Sequence, residues 1–226
     1  MVLIQYYNLL ISSNGNVHDV IGEDVSSLAN NSTATDALST DELVEYNTSF
    51  ASITSLRASY KELSALPPGD AYTALQSMDL SACKNVSTIP ASWNTSSSVL
   101  TLDVSKTAIA SIPSAFDSVT DLNVSGCRAI SSIDIPRART LNVSRSTITE
   151  LLNGASLQSL YAVQSRISHI SSASLVTLVW NSDVSSTLVI SSACASLVSV
   201  VALHDSTITI DPSITPSMLR LSYMGL

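Results

Sequence analysis

The sequence predicts a strand-dominated α/β solenoid, a single stack of short parallel β-strands. Three observations predict it. A pattern of apolar, two spacers, apolar, one spacer, apolar returns from about residue 53 onward. The second apolar position falls at 56, 78, 102, 122, 141, 160, 178, 201 and 219, so the step is steady. The shorter steps leave about ten residues for the return path, too few for a full helix and two turns.

Residues 1–50 read as an N-terminal cap or degenerate repeats. The opening MVLIQYYNLLI is apolar but lacks a basic start and contains Gln5 and Asn8. It therefore reads as a strand rather than a leader peptide. Leu9-x-Ile11 with Asn14, Val17 and Val20 fits a degenerate copy of the later pattern. Ser39 with Glu42 three residues on is a capping-box pattern and predicts a short helix.

Residues 51–226 carry about eight to nine repeats. Ile53-x-x-Leu56-x-Ala58 opens them, and Leu75-x-x-Met78-x-Leu80 leads to Cys83, Val86 and Ile89. The clearest copy is Val99-x-x-Leu102-x-Val104, leading to Thr107, Ile109 and Ile112. Val119, Leu122 and Val124 follow, then Ala138, Leu141 and Val143, then Leu157, Leu160 and Ala162. Leu175-x-x-Leu178-x-Trp180, Val198-x-x-Val201-x-Leu203 and Leu219-x-Leu221 complete the series. Alternate apolar residues at each core have period two, the signature of a half-buried strand. One unit cannot bury its apolar side alone, so neighbours must stack. Pro90 and Pro113 bar helix for the residues before them and start an extended or 3-10 return path. Phe50 and Phe116, three residues before the next copy's first apolar site, are expected to plug the core from that outer side. Leu219, Leu221 and Leu226 would leave a bare edge strand, so the chain is expected to be cut from a longer protein.

These copies resemble the leucine-rich repeat family, whose pattern is L-x-x-L-x-L-x-x-(N/C)-x-L. The resemblance covers about residues 50–226. It implies a horseshoe with parallel strands on the concave side and a mostly extended or 3-10 convex side. The chain departs from the family at the asparagine position, which holds Lys61, Cys83, Thr107, Cys127, Ser146, Ser165 and Ser206 and never Asn. Several of its repeats are also shorter than the family's 20–29 residues.

Composition narrows the function. Ten Lys and Arg stand against 18 Asp and Glu, for a formal net charge of −8. Charged residues are 12%, about half the usual share. Phosphate backbones and anionic membranes are bound mainly through clustered Lys and Arg, and the sequence has no basic run, so nucleic acid is not the expected partner. No stretch of 18 apolar residues predicts a membrane span. The three cysteines, Cys83, Cys127 and Cys194, lie 44 and 67 residues apart with no C-x-x-C. Cys83 and Cys127 read as buried small residues rather than metal ligands or disulfide partners. Six glycines leave no phosphate-cradling loop, and no G-x-S-x-G or H-E-x-x-H is present. His204-Asp205 stands beside serines, but in a chain with 45 Ser such neighbours arise by chance. The segment is read as non-catalytic, with no cofactor or metal. His169 is expected on the outer return path, and His204 on the exposed strand face.

The spacers between apolar strand positions should form an exposed sheet face. The column between the last two apolar sites reads Arg57, Asp79, Asp103, Asn123, Asn142, Tyr161, Val179, Ala202 and Arg220. With Asp121 from the column before it, the candidate ligand-binding residues are Arg57, Asp79, Asp103, Asp121, Asn123, Asn142 and Tyr161. N-x-(S/T) sequons occur at Asn30, Asn31, Asn47, Asn85, Asn94, Asn123 and Asn142. Asn30, Asn47, Asn85 and Asn94 are the candidate glycosylation sites; glycans on Asn123 or Asn142 would cover the binding face. Low charge, abundant Ser and Thr, and these sequons resemble receptor-kinase ectodomains. The resemblance implies a protein- or peptide-recognition module, extracellular or at the cell surface, in a larger signalling receptor. The alternative is an intracellular scaffold that docks a protein partner.

Overall fold

The computed structural model describes residues 19–21, 54–57, 66, 69, 72–95, 98–134, 136–152, 154–182, 187–203, 207–214 and 220–224. In chain order the strands are β1 (Asp19–Ile21), β2 (Ser55–Arg57), β3 (Ser77–Asp79), β4 (Thr101–Asp103) and β5 (Asp121–Asn123). Next come β6 (Ser132–Asp134), β7 (Thr140–Asn142), β8 (Glu150–Leu152), β9 (Ser159–Ser165) and β10 (His169–Ile170). The last are β11 (Thr177–Ser182), β12 (Thr187–Ile190), β13 (Ser199–Leu203), β14 (Thr207–Ile210) and β15 (Arg220–Met224). Three 3-10 turns, Ala91–Thr95, Ser114–Phe116 and Gly154–Ser156, are the helical segments among the described residues. No helix among these is long and apolar enough to cross a membrane.

The main sheet has ten parallel strands in the order β1-β2-β3-β4-β5-β7-β9-β11-β13-β15. Each coil adds one strand beside the last, as stacked repeats require. The register puts Met78, Leu102, Leu122, Leu141, Leu160, Leu178 and Val200 in one row. All seven are at most 2% exposed, so the row is the interior of the solenoid. Leu56 begins it beside Met78, and Val20 of β1 shares Leu56's register.

The register of the last coils differs from the sequence expectation. Val200, rather than Val201, continues the interior row, and Leu221, rather than Leu219, pairs with it. Val200-Val201-Ala202 is uninterrupted apolar sequence, so period two alone leaves two registers open there. Leu197, 4% exposed, supplies the first apolar site that Val198, 38% exposed, was expected to fill.

The return path is extended or 3-10, as the short steps predict. Early coils use the 3-10 turns that follow Pro90 and Pro113. Later coils go further and pair their return segments into two outer parallel sheets, β6-β8 and β10-β12-β14. Aromatic residues fill the space between the layers. Phe116 is 1% exposed and plugs the core from its 3-10 turn. Trp93 stacks on Tyr72 with ring centroids 5.1 Å apart. Gly69 abuts Trp93 so closely that a Cβ there would lie 2.3 Å from a ring carbon. Trp180 is fully buried between Ala162 and Ala202 of the flanking strands, small residues that leave room for the indole. Its Nε1 donates to the Ile167 carbonyl at 3.2 Å. The cap helix expected around Ser39 and the position of Phe50 lie outside the described residues.

Candidate functional site

In each three-residue strand the middle side chain points inward and the two flanking ones point away from the core. The outward face therefore carries two columns. The first runs Ser77, Thr101, Asp121, Thr140, Ser159, Thr177 and Ser199. The second runs Asp79, Asp103, Asn123, Asn142, Tyr161, Val179 and Val201. Neighbours in a column stand about 4.8 Å apart. Val201 takes the place that the sequence reading gave to Ala202.

Four members of the second column serve the backbone. The Ser81 amide donates to Asp79 Oδ1 at 2.9 Å and the Ser105 amide to Asp103 Oδ1 at 2.8 Å. The Ser125 and Ser144 amides donate to Asn123 Oδ1 and Asn142 Oδ1, each at 3.1 Å. These are Asx turns, in which a short side chain accepts the N–H two residues on as the strand bends away. The bend then passes through the left-handed region at Ala82 (φ 62), Lys106 (φ 58), Gly126 (φ 73), Arg145 (φ 57) and Gln164 (φ 52). Asn123 Nδ2 also donates to Asp103 Oδ2 at 2.9 Å, tying adjacent coils together.

The residue after each left-handed position turns into the core. Thr107 Oγ1 and Cys127 Sγ both donate to the Val104 carbonyl, at 2.7 Å and 3.0 Å. Ser146 Oγ donates to the Val143 carbonyl at 2.6 Å. At these three coils small polar side chains thus satisfy the backbone where the family pattern has asparagine, whereas the buried Ser165 Oγ has no hydrogen-bond partner among the described residues. Cys83, Cys127 and Cys194 are buried thiols rather than disulfides, and burial of the first two is as expected. Burial pushes the Cys127 and Cys194 thiols above their ordinary pKa.

The candidate residues consequently differ in what they offer a ligand. Asp79, Asp103, Asn123 and Asn142 are half-buried with an oxygen committed to the turn. Asp121 is exposed and accepts from its neighbour Thr120 Oγ1 at 2.9 Å. Tyr161 is 39% exposed and opens a less polar stretch continued by Val179 and Val201. The backbone of Arg57 pairs with that of Asp79. The face grades from carboxylates at one end to aromatic and aliphatic groups at the other.

Of the candidate glycosylation sites, Asn85 is exposed, and Asn94 lies in the 3-10 turn Ala91–Thr95. Asn30 and Asn47 are outside the described residues, as are His18, His204 and Asp205. His169 is exposed on β10 of an outer sheet, where the return path was expected to put it. Among the described residues no three His, Cys, Asp or Glu side chains converge as a metal site would need.

No family model and no curated protein matches the sequence. Solved structures do match the fold. One is the crystal structure of a TLR13–ssRNA13 complex, at 14% identity and a TM-score of 0.52 over 79% of this chain. The match takes in 34% of that protein, so the present chain spans about a third of its length. Internalin C2 from Listeria monocytogenes matches at 16% identity and a TM-score of 0.45, covering 81% of this chain and 75% of that one.

Proposed function

We propose that this solenoid, which has the leucine-rich-repeat fold of short parallel strands around a single leucine row, is a non-catalytic recognition module whose outward sheet face binds a protein or peptide. The observation that carries this reading is the graded face itself. Asp121 offers an exposed carboxylate. Two coils on along the ladder, Tyr161, Val179 and Val201 offer an aromatic anchor and aliphatic contacts. An extended peptide with a basic residue near one end and apolar residues near the other is complementary to that order. Aromatic anchors flanked by charge are the usual source of affinity at such surfaces.

A displayed random-peptide library selected on the immobilised protein tests the proposal. Enriched peptides should lose binding to the Tyr161→Ala and Asp121→Lys proteins and keep it on Val189→Ala, which alters an outer-sheet residue. Selected peptides indifferent to both face substitutions would refute it.

The favoured setting is extracellular, as part of a larger receptor-type or surface glycoprotein. The sequons support it, led by exposed Asn85. The second reading, an intracellular scaffold, draws on three buried cysteines that form no disulfide. Expression in a secretory host separates them. A glycosidase-sensitive mobility shift that shrinks in Asn85→Gln supports the extracellular reading, and its absence supports the intracellular one.

A further inference from the structure

The two faces of the sheet do not account for the edge where the strands bend. There Arg128, Arg145, Ser146, Thr147, Gln164 and Arg166 line an open cavity of about 480 Å³. Three of the chain's ten lysines and arginines thus meet at one place in a molecule of net charge −8. No carboxylate is among the lining residues described.

The repeat produces this cluster. Arg128, Thr147 and Arg166 are each 19 residues apart, the same step that separates Leu122, Leu141 and Leu160. They occupy one position on three successive coils. Arg128 and Arg166 are therefore two coils, about 10 Å, apart. Thr147 stands between them with its hydroxyl turned to the Arg128 and Ile130 carbonyls at 3.1 Å and 2.7 Å. Arg145 comes from the adjacent left-handed position. Its Nε donates to Gln164 Oε1 at 2.7 Å, which fixes the guanidinium by its inner nitrogen. Among the described residues the outer nitrogens of Arg145 take no partner, and the Arg128 side chain forms no hydrogen bond or ion pair.

Arg128 and Arg145 both bring guanidinium charge to this one opening, and like charges side by side favour an anion between them. We propose that this cavity is an oxyanion site for a phosphate or sulfate group, free or as the monoester of a small ligand. Arg128 and Arg145, the latter held by Gln164, donate to it, and Arg166 adds its charge to the basic rim. The site lies on the edge of the coils and does not depend on the peptide-binding face.

Isothermal titration of the intact protein with inorganic phosphate and inorganic sulfate, each against chloride at constant ionic strength, tests the proposal. Methyl phosphate and methyl sulfate form a second arm that distinguishes a free ion from an ester. The expected result is saturable binding of at least one of the four anions. Arg128→Ala and Arg145→Ala should each weaken it about tenfold, the usual scale of a charge-assisted contact. Lys84→Ala, an exposed cation elsewhere, should leave it unchanged. All three residues are exposed, so circular dichroism should report the same fold in each protein. No saturable binding of any of the four, or equal affinity in the arginine variants, would overturn the proposal.

Discussion

Leu100 and Leu102 are two residues apart and meet opposite environments, which makes them a sensitive pair. Leu102 is fully buried in the interior row between Met78 and Leu122, whereas Leu100 is 45% exposed. Leu102→Ala removes three buried carbons and leaves a cavity that the coils above and below cannot close, because their spacing is set by backbone hydrogen bonds. The expected loss is about 3 kcal/mol, within the range for Leu→Ala in packed cores. Leu100→Ala should cost less than about 0.5 kcal/mol, as surface changes do. With a urea slope of roughly 2 kcal/mol/M, the Leu102 variant should unfold at about 1.5 M lower denaturant and the Leu100 variant within about 0.25 M of the parent. Urea titration followed by circular dichroism reads both. Equal shifts for the two proteins would refute the inward and outward assignment of the strand.

Other substitutions probe the turns and the layers. Asn123→Ala removes both the acceptor for the Ser125 amide and the tie to Asp103, so it should cost about 2 kcal/mol, against about 1 for Asn142→Ala. Denaturant melts of the two proteins give the difference directly. Gly69→Ala places a methyl against Trp93 and should destabilise by about 1–3 kcal/mol, with a changed near-ultraviolet Trp signal. The three thiols should react slowly with a chromogenic disulfide at pH 8 in the folded protein and completely in urea. Burial keeps Cys127 and Cys194 protonated to higher pH than an exposed cysteine, so the native rate should rise only as the pH climbs further.

Much of the ladder could be read from spacing alone. Leu102, Leu122, Leu141 and Leu160 recur with alternating spacers, and a strand with one buried face permits little else. The reading failed in register where Val200, Val201 and Ala202 removed the alternation. It did not foresee that neighbouring return segments would pair into sheets, because that depends on coils of matching length lying side by side. The Asx column carried a signal that went unused. Asp79, Asp103, Asn123 and Asn142 each precede a serine by two residues, at the same place in four successive repeats. The same spacing makes Asn123 and Asn142 look like sequons, so part of the apparent excess of sequons is turn chemistry. The arginine cavity was hidden because residues 128, 145 and 166 form no run in sequence. Only the 19-residue step brings Arg128 and Arg166 into line.

The most direct test of the stacked-strand account is a series of spin-label distances along the first outward column. Labels at Thr101 paired with Ser159, Thr177 or Ser199 lie three, four and five strands apart. Backbone separations should rise by about 5 Å per strand, to roughly 14, 19 and 24 Å. Distances that fail to increase in this order would contradict a parallel ladder with one strand per coil.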